Sequence, residues 1–218
     1  MFIGHFAVGF AAKRVVPQVS LAALLVAALF ADILWPILVL AGVERVDIVP
    51  GATAFTPLRF VSYPWSHSLL LLVVWGVVVG AAYRGIVGGR RSFVVLAALV
   101  ISHWVLDWIT HAPDMPLYPG GPQVGLSLWN SVPGTMVVES LMLAVGVWIY
   151  LRATRATDAL GRWAVASLVG TMALIYAGDS LSDAPPPSVT AICVVGLLAA
   201  VLFPVWAWWA DAHRRVRE

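Results

Sequence analysis

Apolar residues fall in long blocks along this chain, separated by short polar or basic stretches. The blocks at 20–41, 67–83, 92–111, 135–151, 163–178 and 189–210 approach or reach the ~20 residues that a helix needs to cross a bilayer. A further block at 1–12 is too short to cross and predicts a half-helix, either packed or half-inserted. The pattern predicts an all-α fold: a polytopic membrane helical bundle of six transmembrane helices plus a short N-terminal half-helix, in one integral membrane domain over 1–218. Trp35-Pro36 predicts a kink in the first span, because proline removes a helix donor. His67 is read as opening the second span. Gly9, Gly76 and Gly80 predict close helix packing rather than a ligand loop.

Composition agrees with the pattern. The chain is 61% hydrophobic and 11% charged, where soluble domains carry about 25% charged residues. The net charge of +2 comes from separate clusters: Lys13/Arg14, Arg84 to Arg91, Arg152 to Arg162, and Arg214 to Arg217. The intervening connections at 42–66, 112–133 and 179–188 hold few basic residues or none. Six spans put all four clusters on one side, which the positive-inside rule makes cytoplasmic. The expected location is a bacterial-type inner membrane, multi-pass, with the C-terminus cytoplasmic and membrane lipids as neighbours. No dispersed basic face points to nucleic acid. The lone Cys193 excludes a disulfide or a thiolate zinc site within one chain. The N-terminal block lacks the positive start and cleavage pattern of a signal peptide. Nothing in the sequence fixes an oligomeric state.

The polar residues inside the blocks carry the chemistry. His103, Asp107 and His111 are spaced four apart, within about 80° of arc on one helix face. Ionisable groups inside a membrane persist mostly when they pair, line a wet cavity or bind metal. Under the six-span topology, Asp32 lies about 13 Å, and Glu139 about 9 Å, below the outer ends of their spans at ~1.5 Å per residue. His67 stands at an outer end and His103, Asp107 and His111 lie in the outer half of theirs, so the groups share one depth. His5 joins them if the N-terminal block climbs inward from Lys13. Singly, each has a plainer reading: His67 and His111 as interfacial residues, Asp107 as an intrahelical partner of His103, and Asp32 or Glu139 as a structural clamp. Ser66, Ser68 and Ser102 sit next to histidines, but neighbours on a helix point apart, which predicts no catalytic triad.

Gly4-His5, Asp32, Ser66-His67-Ser68 and Ser102-His103-x-x-x-Asp107-x-x-Thr110 together resemble bacterial inner-membrane proteins described as membrane-bound metal-dependent hydrolases. The resemblance covers roughly the first 130 residues, with Leu128-Trp129 as a weaker extension. The order of His and Asp is also similar to zinc-dependent phospholipase C. That enzyme has a further His-x-x-x-Glu, whereas here Thr135 stands four residues before Glu139. The resemblance implies that His5, Asp32, His67, His103 and Asp107 are metal ligands for one or two divalent ions, zinc above all. A lipid or lipid-linked phosphoester is the expected substrate, with Glu139 as general base and His111 as a proton donor or second-ion ligand. The residues alone leave two alternatives open: a transporter or ion/proton-conducting protein lined by the same cluster, and a non-catalytic membrane protein whose cluster locks helices together. The connection at 112–133 is expected to cover the site, with Trp129 in the cover.

Overall fold

The computed structural model describes residues 1–182 and 184–217. In chain order its elements are α1 (Ile3–Ala12), α2 (Leu21–Ala28), α3 (Phe30–Leu40), β1 (Arg45–Ile48), β2 (Leu58–Ser62), α4 (Pro64–His67), α5 (Leu69–Val87), α6 (Arg90–Thr110), β3 (Met115–Pro116), β4 (Gln123–Val124), α7 (Val132–Ala153), β5 (Thr154–Ala156), α8 (Ala159–Ser180), α9 (Val189–Ala212) and β6 (Arg214–Val216). The strands form three small antiparallel pairs, β1–β2, β3–β4 and β5–β6. The architecture is an all-α polytopic bundle. The five helices α5 to α9 are long and apolar enough to cross a membrane, and the pair α2–α3, bent by 55°, passes the same test only when taken together, for five to six in all. Their outward faces are apolar, as with Val73 and Val77 on α5 or Leu198 and Leu202 on α9. Such surface belongs in lipid, and the chain is a multi-pass membrane protein.

α1 is the centre of the bundle rather than a peripheral anchor. Eight of its ten residues are buried, among them His5, Phe6 and Phe10. Phe6 and Phe10 meet Phe203 of α9 and Tyr150 of α7 edge-on, at ring distances of 5.4 and 5.5 Å. α1 lies against α7 with no room for a side chain at Gly146, where a Cβ would collide with the Ala7 carbonyl. A Cβ on Gly9 would come within 2.7 Å of Leu25. Gly76 and Gly80 of α5 likewise face the backbone of Ala97 and Phe93 in α6, at 2.9 and 2.7 Å for an added Cβ. Gly146→Val is expected to lower the thermal midpoint in detergent, in line with the about 1–3 kcal/mol typical of overpacking. An unchanged melt would rule out this close approach.

The first span breaks at Leu29, not at Trp35-Pro36 as the sequence suggested. α2 and α3 meet there at 55°, while Pro36 lies inside α3. The break has a local logic. A helix end leaves carbonyls without intrahelical partners, and the Ala28 carbonyl accepts instead from His103 Nδ1 at 2.9 Å. It also starts a new helix two residues before Asp32, so this carboxylate sits in the first turn of α3, where the helix dipole favours a negative charge. His67 does not open the second span either. It ends the short α4, and α5 begins afresh at Leu69, capped by Ser68.

Candidate metal centre

Asp107 is the hub. It stands on α6 one turn beyond His103 and is 2% exposed. Its Oδ1 faces α1: His5 Nε2 lies 3.0 Å away, and the Met1 ammonium contacts the same oxygen. Its Oδ2 faces the other way, towards His103 Nε2 at 3.1 Å, His67 Nε2 at 3.8 Å and His111 Nε2 at 4.0 Å. Asp32 Oδ1 closes the far side, 3.6 Å from His103 Nε2 and 3.7 Å from His67 Nε2. The His5 and His103 rings stack at 3.7 Å and 3°, presenting their Nε2 atoms side by side to the two oxygens of one carboxylate. Two overlapping ligand sets result, His5/His103/Asp107 and Asp32/His67/His103, each with its atoms within 4.8 Å of one another.

Proton positions on these rings follow from their outer partners. A carbonyl only accepts, so His103 Nδ1 carries the proton given to Ala28, and Nε2 of the neutral ring is a lone pair. His111 Nδ1 lies 3.0 Å from Asp114 Oδ1. Tyr63 donates its own proton to the same oxygen at 2.9 Å. Burial, with Asp114 beside it, pushes the Tyr63 phenol well above the ordinary tyrosine range, so it stays a donor. His111 Nδ1 is therefore a donor as well, and its Nε2 lone pair faces Asp107. His103 Nε2 is buried and makes no aligned hydrogen bond, despite its 3.1 Å approach to Asp107. Lone pairs and carboxylate oxygens thus face each other across a small gap. With the rings neutral, that arrangement fits a divalent ion held by nitrogen and oxygen donors, beside the Met1 ammonium on the other oxygen of Asp107. The spacing agrees: a tetrahedral zinc site with bonds of about 2.0–2.1 Å sets its ligand atoms about 3.3 Å apart, beside the observed 3.1 to 3.8 Å.

All five sequence-predicted ligands, His5, Asp32, His67, His103 and Asp107, come together, and His111 joins them at the edge. Glu139 is placed differently. Its Oε2 accepts the Phe2 and Gly4 amides at 2.8 and 3.2 Å, so it holds the N-terminus of α1 and thereby sets the height of His5. It is fully buried and belongs to neither ligand set among the described residues. The serine reading needs correction at one position. Ser66 Oγ does reach its neighbour, 2.7 Å from His67 Nδ1, because α4 is a single turn. Ser66 serves the outer nitrogen, away from the cluster. Glu44, which sits behind Ser66 and is 3% exposed, was not recognisable from sequence: it lies in a polar connection with nothing to mark it. Tyr63 was overlooked for the same reason.

A cavity of about 270 Å³ opens over Asp32, His67, Asp107 and His111. Phe55 and Phe60 from the β1–β2 hairpin segment and Trp129 from the 112–133 connection wall one side. Trp129 lies over His111, with ring centroids 4.1 Å apart. The opposite wall is apolar and belongs to the spans: Leu29, Ile33, Ile192, Gly196 and Ala199. Glu139 does not line the cavity, and neither does any Lys or Arg among the described residues. No family model, curated protein or solved structure matches the chain.

Proposed function

We propose that the chain is a membrane-embedded metal-dependent hydrolase acting on a lipid or lipid-linked phosphoester, with its site towards the extracytoplasmic side of a bacterial-type inner membrane. One observation carries the reading: the Nε2 atoms of His103 and His111 converge with Asp32 and Asp107, and His103 Nε2 is buried there without an aligned hydrogen-bond partner. His103, His67, Asp32 and Asp107 hold the ion, and His5 extends the set on the far oxygen of Asp107. Histidine nitrogen with carboxylate oxygen favours zinc among the common divalent ions. Such an ion, when bound, supplies Lewis acidity and brings the pKa of a coordinated water to about 7.

The chain's own groups divide the remaining work. Asp32 lines the cavity with a side chain 42% exposed, against 2% for Asp107, and is the carboxylate open enough to take a proton from water. His111, held by Asp114 and covered by Trp129, faces the cavity, and its Nε2 becomes the donor to a leaving group only after taking up a proton. Glu139 positions α1 instead of acting as the base. No Lys or Arg among the described residues lines the cavity, so neutralisation of a phosphoester would fall to the metal together with the Met1 ammonium. The span residues that form one wall give an acyl or polyprenyl chain a place at membrane depth.

The geometry favours this over conduction. Between the cluster and the Lys13 and Ser92 end of the bundle, the buried residues include Phe10, Leu21, Leu24, Leu96 and Val100. From His103 back to the next buried polar side chain of α6, Ser92, the gap is about 16 Å at 1.5 Å per residue. The test is elemental mass spectrometry on detergent-purified protein, followed by headgroup release from phospholipids and polyprenyl-phosphate esters. Bound zinc, with release lost to chelator and restored by zinc, is expected. Metal-free protein that takes up no added ion would overturn the reading.

A further inference from the structure

His67 has the least obvious outer partner of the histidines in the cluster, and that partner leads to residues outside the ligand set. Its Nδ1 meets Ser66 Oγ at 2.7 Å. A hydroxyl both donates and accepts, so this contact alone leaves the His67 proton undecided. Glu44 decides it. Glu44 Oε1 accepts the Trp65 and Ser66 amides at 2.8 and 2.9 Å, and Oε2 lies 2.6 Å from Ser66 Oγ. As a carboxylate, Glu44 can only accept. Ser66 has one proton and gives it to Glu44, so Ser66 receives the proton of His67 Nδ1. The His67 Nε2 lone pair is then left facing Asp32 and Asp107.

We infer that Glu44 and Ser66 are positioning residues that lock His67 as the Nδ1–H tautomer and so present Nε2 as a metal ligand. The inference rests on the metal-centre reading for its purpose, while the tautomer lock stands on these contacts alone. The three groups are buried, at 3%, 0% and 3% exposure for Glu44, Ser66 and His67, so water does not compete for the chain of protons. Local structure assembles it. Glu44 takes the first free amides of α4, a helix start that would otherwise leave them without partners. One carboxylate therefore both begins α4 and orients the histidine that ends it.

The polarity of the chain can be reversed without changing its shape. In Glu44→Gln, the amide oxygen keeps the two backbone donors and the NH₂ replaces Oε2. That NH₂ donates to Ser66 Oγ, Ser66 turns its proton to His67 Nδ1, and the tautomer becomes Nε2–H, with a proton aimed at the metal gap. Ser66→Ala instead removes the lock, and Ser66→Thr keeps it.

The experiment is ¹⁵N NMR of histidine-labelled, metal-free protein in detergent, with zinc affinity by chelator competition as a second readout. His67 is expected to be Nδ1–H in the parent protein and in Ser66→Thr, and Nε2–H in Glu44→Gln. Zinc affinity should fall about 10–100-fold in Ser66→Ala, the range for lost outer partners of a ligand, and at least as far in Glu44→Gln. A parent His67 in the Nε2–H form, or a Glu44→Gln protein that keeps Nδ1–H, overturns the relay. A fall in zinc affinity with the tautomer unchanged also overturns it. If the parent protein binds no zinc yet Glu44→Gln still flips the tautomer, the lock stands and the hydrolase reading is the one that fails.

Discussion

Replacing Asp107 with Asn is expected to abolish uptake of the metal proposed for this centre while leaving the fold intact. Asp107 is the group shared by the whole centre: its two oxygens lie within 4.0 Å of nitrogens from four histidines. Asn keeps the volume, loses the charge and puts an NH₂ where one oxygen stood. With the NH₂ on the Oδ2 side, its protons face the His103 and His67 lone pairs and satisfy them by hydrogen bonding, so no cation is required. Zinc affinity should fall by more than about 100-fold, beyond the range for lost outer partners. The metal-free variant should keep its fold but melt below the metal-free parent, because the buried Met1 ammonium loses its charged partner. Elemental analysis and a thermal melt on the same preparation check both halves. Stoichiometric zinc in the variant would remove Asp107 from the centre. A collapsed melt would make the cluster a structural clamp.

Asp211→Ala has the larger effect on stability. Near the end of α9, Asp211 Oδ2 accepts from Lys13 Nζ at 2.6 Å and from the Leu21 amide at 3.0 Å, while Oδ1 accepts from the Tyr150 hydroxyl at 2.9 Å. One side chain therefore joins the α1–α2 connection, α7 and α9. Lys13 and Asp211 side chains are 7% and 10% exposed, so removing the acid strands a nearly buried ammonium. Breaking such a pair costs about 3–5 kcal/mol, which should be visible as a lower midpoint of unfolding in detergent. Lys13→Met combined with Asp211→Ala should recover much of the loss, because replacing a buried pair as a whole by apolar groups is often close to neutral. Equal destabilisation in the single and double variants would mean that the hydrogen bonds from Tyr150 and Leu21, and not the ion pair, carry the effect.

Spans are legible because lipid demands uniform apolar length, and the candidate ligands because ionisable residues inside such spans are rare. What the sequence hides depends on local geometry. Pro36 is a visible kink signal, yet the bend falls at Leu29, where the freed carbonyl of Ala28 and the helix-start position of Asp32 are both used. Lys13 reads as a charge that marks a membrane face, but three-dimensional packing turns it into a buried partner of Asp211, nearly two hundred positions away in sequence. Glu139 reads as a general base because it lies inside a span; only the docking of α1 shows that its Oε2 takes the Phe2 and Gly4 amides at a helix start. Glu44 and Tyr63 lie in a polar connection where acids and tyrosines are ordinary. Their roles come from a hairpin and a single helical turn that no periodicity announces.

The burial of α1 against Gly146 also sets a timetable for biosynthesis. The α7 surface that receives Ala7 is translated about 140 residues after α1. At about 5–20 residues per second, the ribosome needs roughly 7–28 s to supply it. Through that interval Phe6, Phe10 and His5 lack their final neighbours, and a ten-residue helix cannot shelter them by crossing the bilayer alone. The His/Asp cluster is therefore completed late, only once α7 has been made and α1 can dock.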